Sequence, residues 1–317
     1  MRKYMAFLLM IMMVLPFISN ADAPAPIRAA TLAGNVGLAM VRIMDQPAKN
    51  KYPTSFEVFK TPDLAVGKLI SGDVDIAGLP TTTAALLYNK GVPIQVAAII
   101  GWGVMYVVSG DASIKKWTDL KGQEIYVSAK GAVSDILLQY LLRKNGLDPE
   151  KDVRIQYIAS AVEIAQMVAA GKTPVAVLPE PWVTEVLEKN PNLKVVLDFQ
   201  KEWKRIEKQG LTYPQSCIVV RRKFALEHPE ALQWFLRELN RSIAWVNRNP
   251  KAAGILADKY VQIAPAAVEK GLKRTNLRYN DAYKVRAEIN GFLQKMMESA
   301  PESVGGKLPD GGFCYQP

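Results

Sequence analysis

Two runs of hydroxyl side chains stand where the chain turns from apolar strand to helix. One is Thr81-Thr82-Thr83 after Pro80; the other is Ser128 and Ser134, on either side of Lys130 and just before or after Val133. A third turn, Thr31-Leu32-Ala33-Gly34-Asn35, offers similar donors. Unpaired amides at a helix start and neighbouring hydroxyls suit a polar or anionic ligand group. A fourth turn, Pro179-Glu180-Pro181-Trp182, holds a carboxylate between two prolines beside an indole. That carboxylate could accept from an amine or aminopyrimidine, or could be a helix-start carboxylate satisfied by local amides. Trp102 and Trp182 are candidate apolar walls, or core packing. Lys130 is a candidate partner for an anion, or a solvated lysine. The ligand-binding set expected from these turns is Thr31, Leu32, Ala33, Asn35, Pro80, Thr81, Thr82, Thr83, Trp102, Ser128, Lys130, Val133, Ser134, Glu180 and Trp182.

This is binding chemistry rather than bond-breaking chemistry. The only histidine, His228, precedes Pro229 at a helix start, and Cys217 and Cys314 are far apart in sequence. No metal-ligand spacing, phosphate-binding loop, nucleophile elbow or dinucleotide fingerprint occurs. No catalytic residue, metal or cofactor is therefore expected.

The elements that position these turns recur. Gly67–Gly91 reads as helix end, turn, short buried strand Val74–Leu79, proline turn and helix Ala84–Lys90. Pro62 at a helix start and Gly72 at its end bound the preceding helix, for which Leu64, Val66, Leu69 and Ile70 supply the apolar stripe. Thr61–Pro80 aligns without a gap on Ser160–Pro179 at an offset of 99, with Gly72 on Gly171 and Pro80 on Pro179. Upstream, Ile27–Gly37 matches Glu124–Ser134 at an offset of 97. The order of strand, glycine turn, helix, then helix, glycine, strand, proline turn therefore occurs twice, which predicts two α/β lobes of one design.

Between and after the repeats the expected strands are Ser55–Lys60, Pro93–Ile100, Val104–Val108, Arg154–Ile158 and Lys194–Phe199. The break at Gly101-Trp102-Gly103 is the expected first crossing, and Tyr213–Arg221 leads back. Lobe 1 is thus 24–101 plus 222–317, and lobe 2 is 102–221. Residues 200–212 read as charged surface. The last third reads as helical, led by an amphipathic helix from Pro229 with Leu232, Phe235, Leu236, Leu239, Ile243 and Val246 on one face. The tail Gly305–Pro317 reads as an extended strap. Export would permit a Cys217–Cys314 disulfide, but spacing does not decide it.

The chain has 317 residues, room for two sizeable cores. Residues 1–21 carry a basic start, a short apolar stretch and Ser19-Asn20-Ala21, the pattern of a removable signal peptide. Losing Arg2 and Lys3 would take the formal charge from +10 to +8. The cations are scattered and no recognition helix accompanies them, so nucleic acid is not an expected partner.

Gly72-Asp73-Val74-Asp75-Ile76-Ala77, Asp119-Leu120-Lys121-Gly122, Glu180-Pro181 and Arg222-Lys223-Phe224…His228-Pro229-Glu230 together resemble solute-binding proteins of ABC importers. The group is the nitrate, sulfonate and taurine type, which includes thiamine-pyrimidine-precursor binders. The resemblance implies a type II, two-lobed Venus-flytrap fold, each lobe a mostly parallel sheet flanked by helices. It also implies a periplasmic, monomeric protein that captures a small sulfonate, carboxylate or pyrimidine-like solute and delivers it to an inner-membrane permease. Gly171-Lys172-Thr173-Pro174 departs from the glycine-x-x-aspartate turn usual in the second lobe. Alternatives on the same fold are a cofactor-pathway enzyme and an exported sensor or scavenger.

Overall fold

The structure is a computed structural model that describes residues 24–208 and 212–316. The expected signal segment, residues 1–21, lies outside the described residues. The first part of the chain forms β1 (Ile27–Leu32), α1 (Asn35–Leu38), α2 (Val41–Asp45), β2 (Thr54–Phe59), α3 (Pro62–Ser71), β3 (Ile76–Pro80), α4 (Thr81–Asn89) and β4 (Ile94–Trp102). The middle part forms β5 (Met105–Ser109), β6 (Glu124–Ser128), α5 (Val133–Lys144), β7 (Arg154–Ile158), α6 (Ala161–Ala169), β8 (Val175–Pro179), α7 (Trp182–Lys189), β9 (Lys194–Asp198) and α8 (Phe199–Glu207). The last part forms β10 (Pro214–Arg221), α9 (Arg222–Glu227), α10 (Pro229–Arg248), α11 (Pro250–Val261), α12 (Pro265–Thr275), β11 (Leu277–Asp281) and α13 (Arg286–Ser299).

Two sheets result, ordered β11-β4-β10-β3-β1-β2 and β7-β6-β8-β5-β9. The sequence repeat is realised in them: β2-β1-β3 matches β7-β6-β8, and each triplet is parallel. The next strand in each sheet is antiparallel and comes from across the junction. β5 enters the second sheet directly from β4 of the first, and β10 returns from the second half to pair between β3 and β4. Each sheet is therefore mixed rather than mostly parallel. The inserted central strands are fully apolar where they are covered on both faces, Cys217–Val220 in β10 and Tyr106–Val108 in β5.

Several expectations shift at the level of elements. Strand β4 runs through Gly101 and Trp102, so the break falls at Gly103-Val104. Gly103 has φ 63, a conformation that favours glycine. The strand Pro214–Arg221, counted with the second lobe from sequence, pairs in the first sheet. The charged segment from Gln200 begins in α8, which keeps Lys201, Lys204 and Arg205 exposed but buries Gln200, Glu202 and Trp203. Helix α3 buries Ala65 and Leu69, whereas Leu64 and Ile70 of the expected stripe are 59% and 56% exposed. Strand β11 was not foreseen; it falls in the last third of the chain, which reads as helical.

Both cysteines are buried and unbridged. Burial pushes the thiol of Cys217 up to about 12 and that of Cys314 up to about 11, so neither is a thiolate near neutral pH. The tail does strap the molecule. Phe313 O accepts from Val96 N, and Tyr315 N donates to Val96 O, at 2.8 Å each. No helix among the described residues is long and apolar enough to cross a membrane.

Candidate functional site

A cavity of about 200 Å³ opens between the carboxyl ends of the two parallel triplets, where ligands collect in open α/β sheets. The first sheet contributes Leu32 and Ala33 after β1, Lys60-Thr61-Pro62 between β2 and α3, Pro80 at the end of β3, and Gln215-Ser216 of β10. The second contributes Met105 at the start of β5, residues 128–134 except 130 and 131, the β7–α6 turn at residues 159–162, Pro179 and Trp182.

The turn after β6 is built to present its serines. Ser128 Oγ and Ser134 Oγ lie 2.8 Å apart, and Ser134 Oγ also lies 3.3 Å from the carbonyl of Ser128. Ala129 at φ 27 and Gly131 at φ 79 reverse the chain between them. The Asp135 carboxylate braces the reversal, accepting from Gly131 N at 2.8 Å and Tyr157 OH at 3.1 Å. Burial, with the charge of Asp135, pushes Tyr157 up to about 12. At the equivalent β7–α6 turn, Ser160 Oγ accepts from Glu163 N at 3.2 Å, an ordinary N-cap.

The elements of the first sheet also hold a buried layer of polar atoms apart from the cavity lining. Thr31 Oγ1, Asn35 Nδ2, Thr81 Oγ1 and Trp102 Nε1 are buried and have no hydrogen-bond partner among the described residues. Asn35 reaches this layer across Gly101. A Cβ on Gly101 would stand 2.6 Å from Asn35 Nδ2 and 3.0 Å from Ser216 Oγ, so only glycine lets these two side chains approach the strand. Arg278 stacks over the Trp102 ring at 5.0 Å.

Not every expected residue comes to the cavity. Leu32, Ala33, Pro80, Ser128, Val133, Ser134 and Trp182 line it. Thr31, Asn35, Thr81 and Trp102 belong to the buried layer. Thr82 and Thr83 do not line it, because α4 turns by about 100° per residue and cannot aim three successive side chains one way. Lys130 is exposed, with its ammonium 6.0 Å from the Tyr157 ring centroid.

Glu180 is likewise committed elsewhere. It is 1% exposed, accepts from Thr184 Oγ1 at 2.9 Å and Thr184 N at 3.1 Å, and pairs with Arg274 Nε at 2.5 Å. Desolvation raises its pKa above the ordinary 4.5 despite the opposing pull of Arg274 and Thr184. Of the side chains that sequence reading passed over, Thr61 and Ser160 had a signal: the repeat aligns them, and both line the cavity. Met105, Gln215 and Ser216 had none, since only the strand exchange brings them there, while Lys60 comes with the β2–α3 turn next to Thr61.

Residues 47–266 match the family model described as "ABC transporter, phosphonate, periplasmic substrate-binding protein". A binding protein of Bacillus subtilis, YtlA, is 22% identical over 219 residues, covering 67% of this chain and 63% of that protein. The nitrate/nitrite binding protein NrtA of Nostoc is 24% identical over 181 residues, 55% of this chain and 38% of that protein. The matches thus span less than two thirds of either curated relative. Among solved structures, an ABC transporter protein from Parabacteroides distasonis superposes with TM-score 0.79 at 29% identity, covering 93% of this chain and 99% of that one. The aliphatic sulphonate binding protein SsuA of Escherichia coli gives 0.70 at 17% identity, over 87% and 91%.

Proposed function

The chain belongs to the family of periplasmic substrate-binding proteins of phosphonate-type ABC transporters, and on that premise we propose that it captures a small organic solute between its two sheets and hands it to a membrane permease. The observation that carries the reading is the cavity at the carboxyl strand ends, lined from both sheets. A solute held there touches both halves only when they are together, so binding favours the closed form. The halves we propose as moving lobes are 24–102 with 214–316 and 103–213, because Trp102 and β10, counted with the second lobe from sequence, pair in the first sheet.

The solute has a polar or anionic end and a flat or apolar body. Hydroxyls of Ser128, Ser134, Thr61 and Ser216 supply the polar contacts, and Trp182, Pro80 and Met105 the apolar walls. No arginine lines the cavity, and its one cation, Lys60, is exposed. These features favour a sulfonate, phosphonate, carboxylate or pyrimidine over a bare inorganic anion. The protein binds without turnover, is exported through loss of residues 1–21, and works as a monomer in the periplasm.

A thermal-shift panel of alkylsulfonates, alkylphosphonates, aromatic acids, aminopyrimidines and nitrate tests this reading. The expected result is a shift with an organic member that Trp182→Ala abolishes. A shift with nitrate alone that survives Trp182→Ala would overturn it, as would consumption of the stabilising compound by the protein.

A further inference from the structure

A second recess, of about 890 Å³, lies away from the cavity, between the segment before β6, strand β9, helix α8 and the end of α12. Five lysines line it: Lys115 and Lys116 from the loop, Lys201 and Lys204 from α8, and Lys273 from α12. All five are exposed, and none has a carboxylate within 4.0 Å among the described residues. The two arginines at its edge are already committed, Arg205 to Glu202 and Arg274 to Glu180. Its two acidic residues are committed as well. Glu202 holds Arg205 and Asn145, and Asp198 accepts from the amides of Gln200 and Lys201 at the start of α8.

What remains is a concave surface whose uncommitted charge is all ammonium. An arginine fork pairs with a carboxylate or a phosphate in one fixed geometry, whereas ammonium groups are compact point charges that several oxygens of a multiply charged phosphate chain can share. A recess of this volume exceeds one phosphate group severalfold. Five like charges held in it repel one another, so a multivalent anion relieves that repulsion as it binds.

We propose that this recess is a binding site for a phosphate-dense anion, either a soluble oligophosphate or the headgroups of an anionic phospholipid surface. The lysines come from the second sheet's elements and from α12, so one such anion bridges the two halves. The recess shares no lining residue with the cavity, so the anion and the captured solute occupy separate places.

The test is binding of tripolyphosphate by calorimetry, and co-sedimentation with phosphatidylglycerol or phosphatidylcholine vesicles, at low and at about 150 mM salt, where screening sets in within about 8 Å. The variants are Lys115→Gln/Lys116→Gln/Lys201→Gln/Lys204→Gln together, a control of Lys90→Gln/Lys251→Gln outside the recess, and Trp182→Ala in the cavity. All the lysines changed are exposed, so the fold is kept. The expected result is salt-sensitive binding of at least one phosphate probe, weakened about tenfold or more by the recess variant and less than about twofold by the other two. Tripolyphosphate binding alone assigns a soluble source; binding to phosphatidylglycerol but not phosphatidylcholine vesicles assigns the lipid. The proposal falls if neither probe binds, if the control variant loses as much as the recess variant, if Trp182→Ala removes the binding, or if polyglutamate, titrated in the same way as a carboxylate control, binds the recess as tightly as tripolyphosphate.

Discussion

Glu180 illustrates how a site residue is reassigned by its partners. From sequence it was a candidate acceptor for an amine; in the fold it accepts three hydrogen bonds, two from Thr184 and one from Arg274. Arg274→Ala leaves this carboxylate buried and unpaired, which costs about 3–5 kcal/mol where both partners are buried. The Arg274 side chain is 36% exposed, so a loss of about 2–3 kcal/mol in urea unfolding is expected. The pH dependence has a definite sign. Glu180 has its folded-state pKa raised above 4.5, so its contribution to stability is full below about 4.5 and is lost as pH rises through the raised value. Glu180→Gln removes that loss. The difference in unfolding free energy between variant and parent should therefore move in the variant's favour from pH 4.5 towards 7; a flat difference would mean the pKa is not raised.

At the scale of elements, the junction between the halves is carried by α12 as much as by the two crossing strands. Its Gly271 packs on the start of α7 so closely that a Cβ would lie 2.5 Å from Thr184 Oγ1 and 2.9 Å from Glu180 Oε2. Beyond α12, Asn276 Nδ2 donates to Gly103 O at 2.7 Å, and Tyr106 OH donates to Arg274 O at 3.1 Å. The crossing at Gly103 and the helix end are thus tied to one another. Gly271→Ala should cost about 1–3 kcal/mol by overpacking, read as a lower urea midpoint with an unchanged slope. Because α7 carries Trp182, the same variant should also weaken capture of whichever panel compound stabilises the parent. An unaltered midpoint would show that α12 is not packed as described.

At the scale of the whole molecule, the chain passes between the two sheets at Gly103-Val104 and again just before Pro214. The proposed closure predicts that these two connections are the hinge, since a change at them breaks neither sheet. Small-angle scattering should give a smaller radius of gyration with a stabilising solute than without it. An unchanged radius at saturation would defeat closure unless the free protein is already closed, and hydrogen exchange at Gly103-Val104 separates those cases: a rocking hinge loses protection without solute, a static one does not. The strap of Phe313 to Tyr315 on β4 stays within the first sheet, so its protection should not change on binding.

The local code of this chain was legible in its sequence. Proline and glycine at helix starts and ends fixed the boundaries of α3 and α10, and Gly72 takes the left-handed conformation at φ 84 that its position as a helix stop required. The two repeats specified two strand–helix modules, because matching backbone requirements recur at matching spacing. Seven of the expected residues line the cavity for the same reason: a turn at a carboxyl strand end is a local event, and its place in the sheet follows from the parallel βαβ rule. What the sequence could not decide is which distant segment pairs with which. β10 reads as well for one lobe as for the other, since a strand buried on both faces is apolar throughout and carries no mark of its neighbours. The fates of Glu180, Trp102 and Arg274 hang on that pairing and on the docking of α12, nearly 100 residues further on. Partners brought together over such separations are selected by the packing of the whole, and only the tertiary structure decided them.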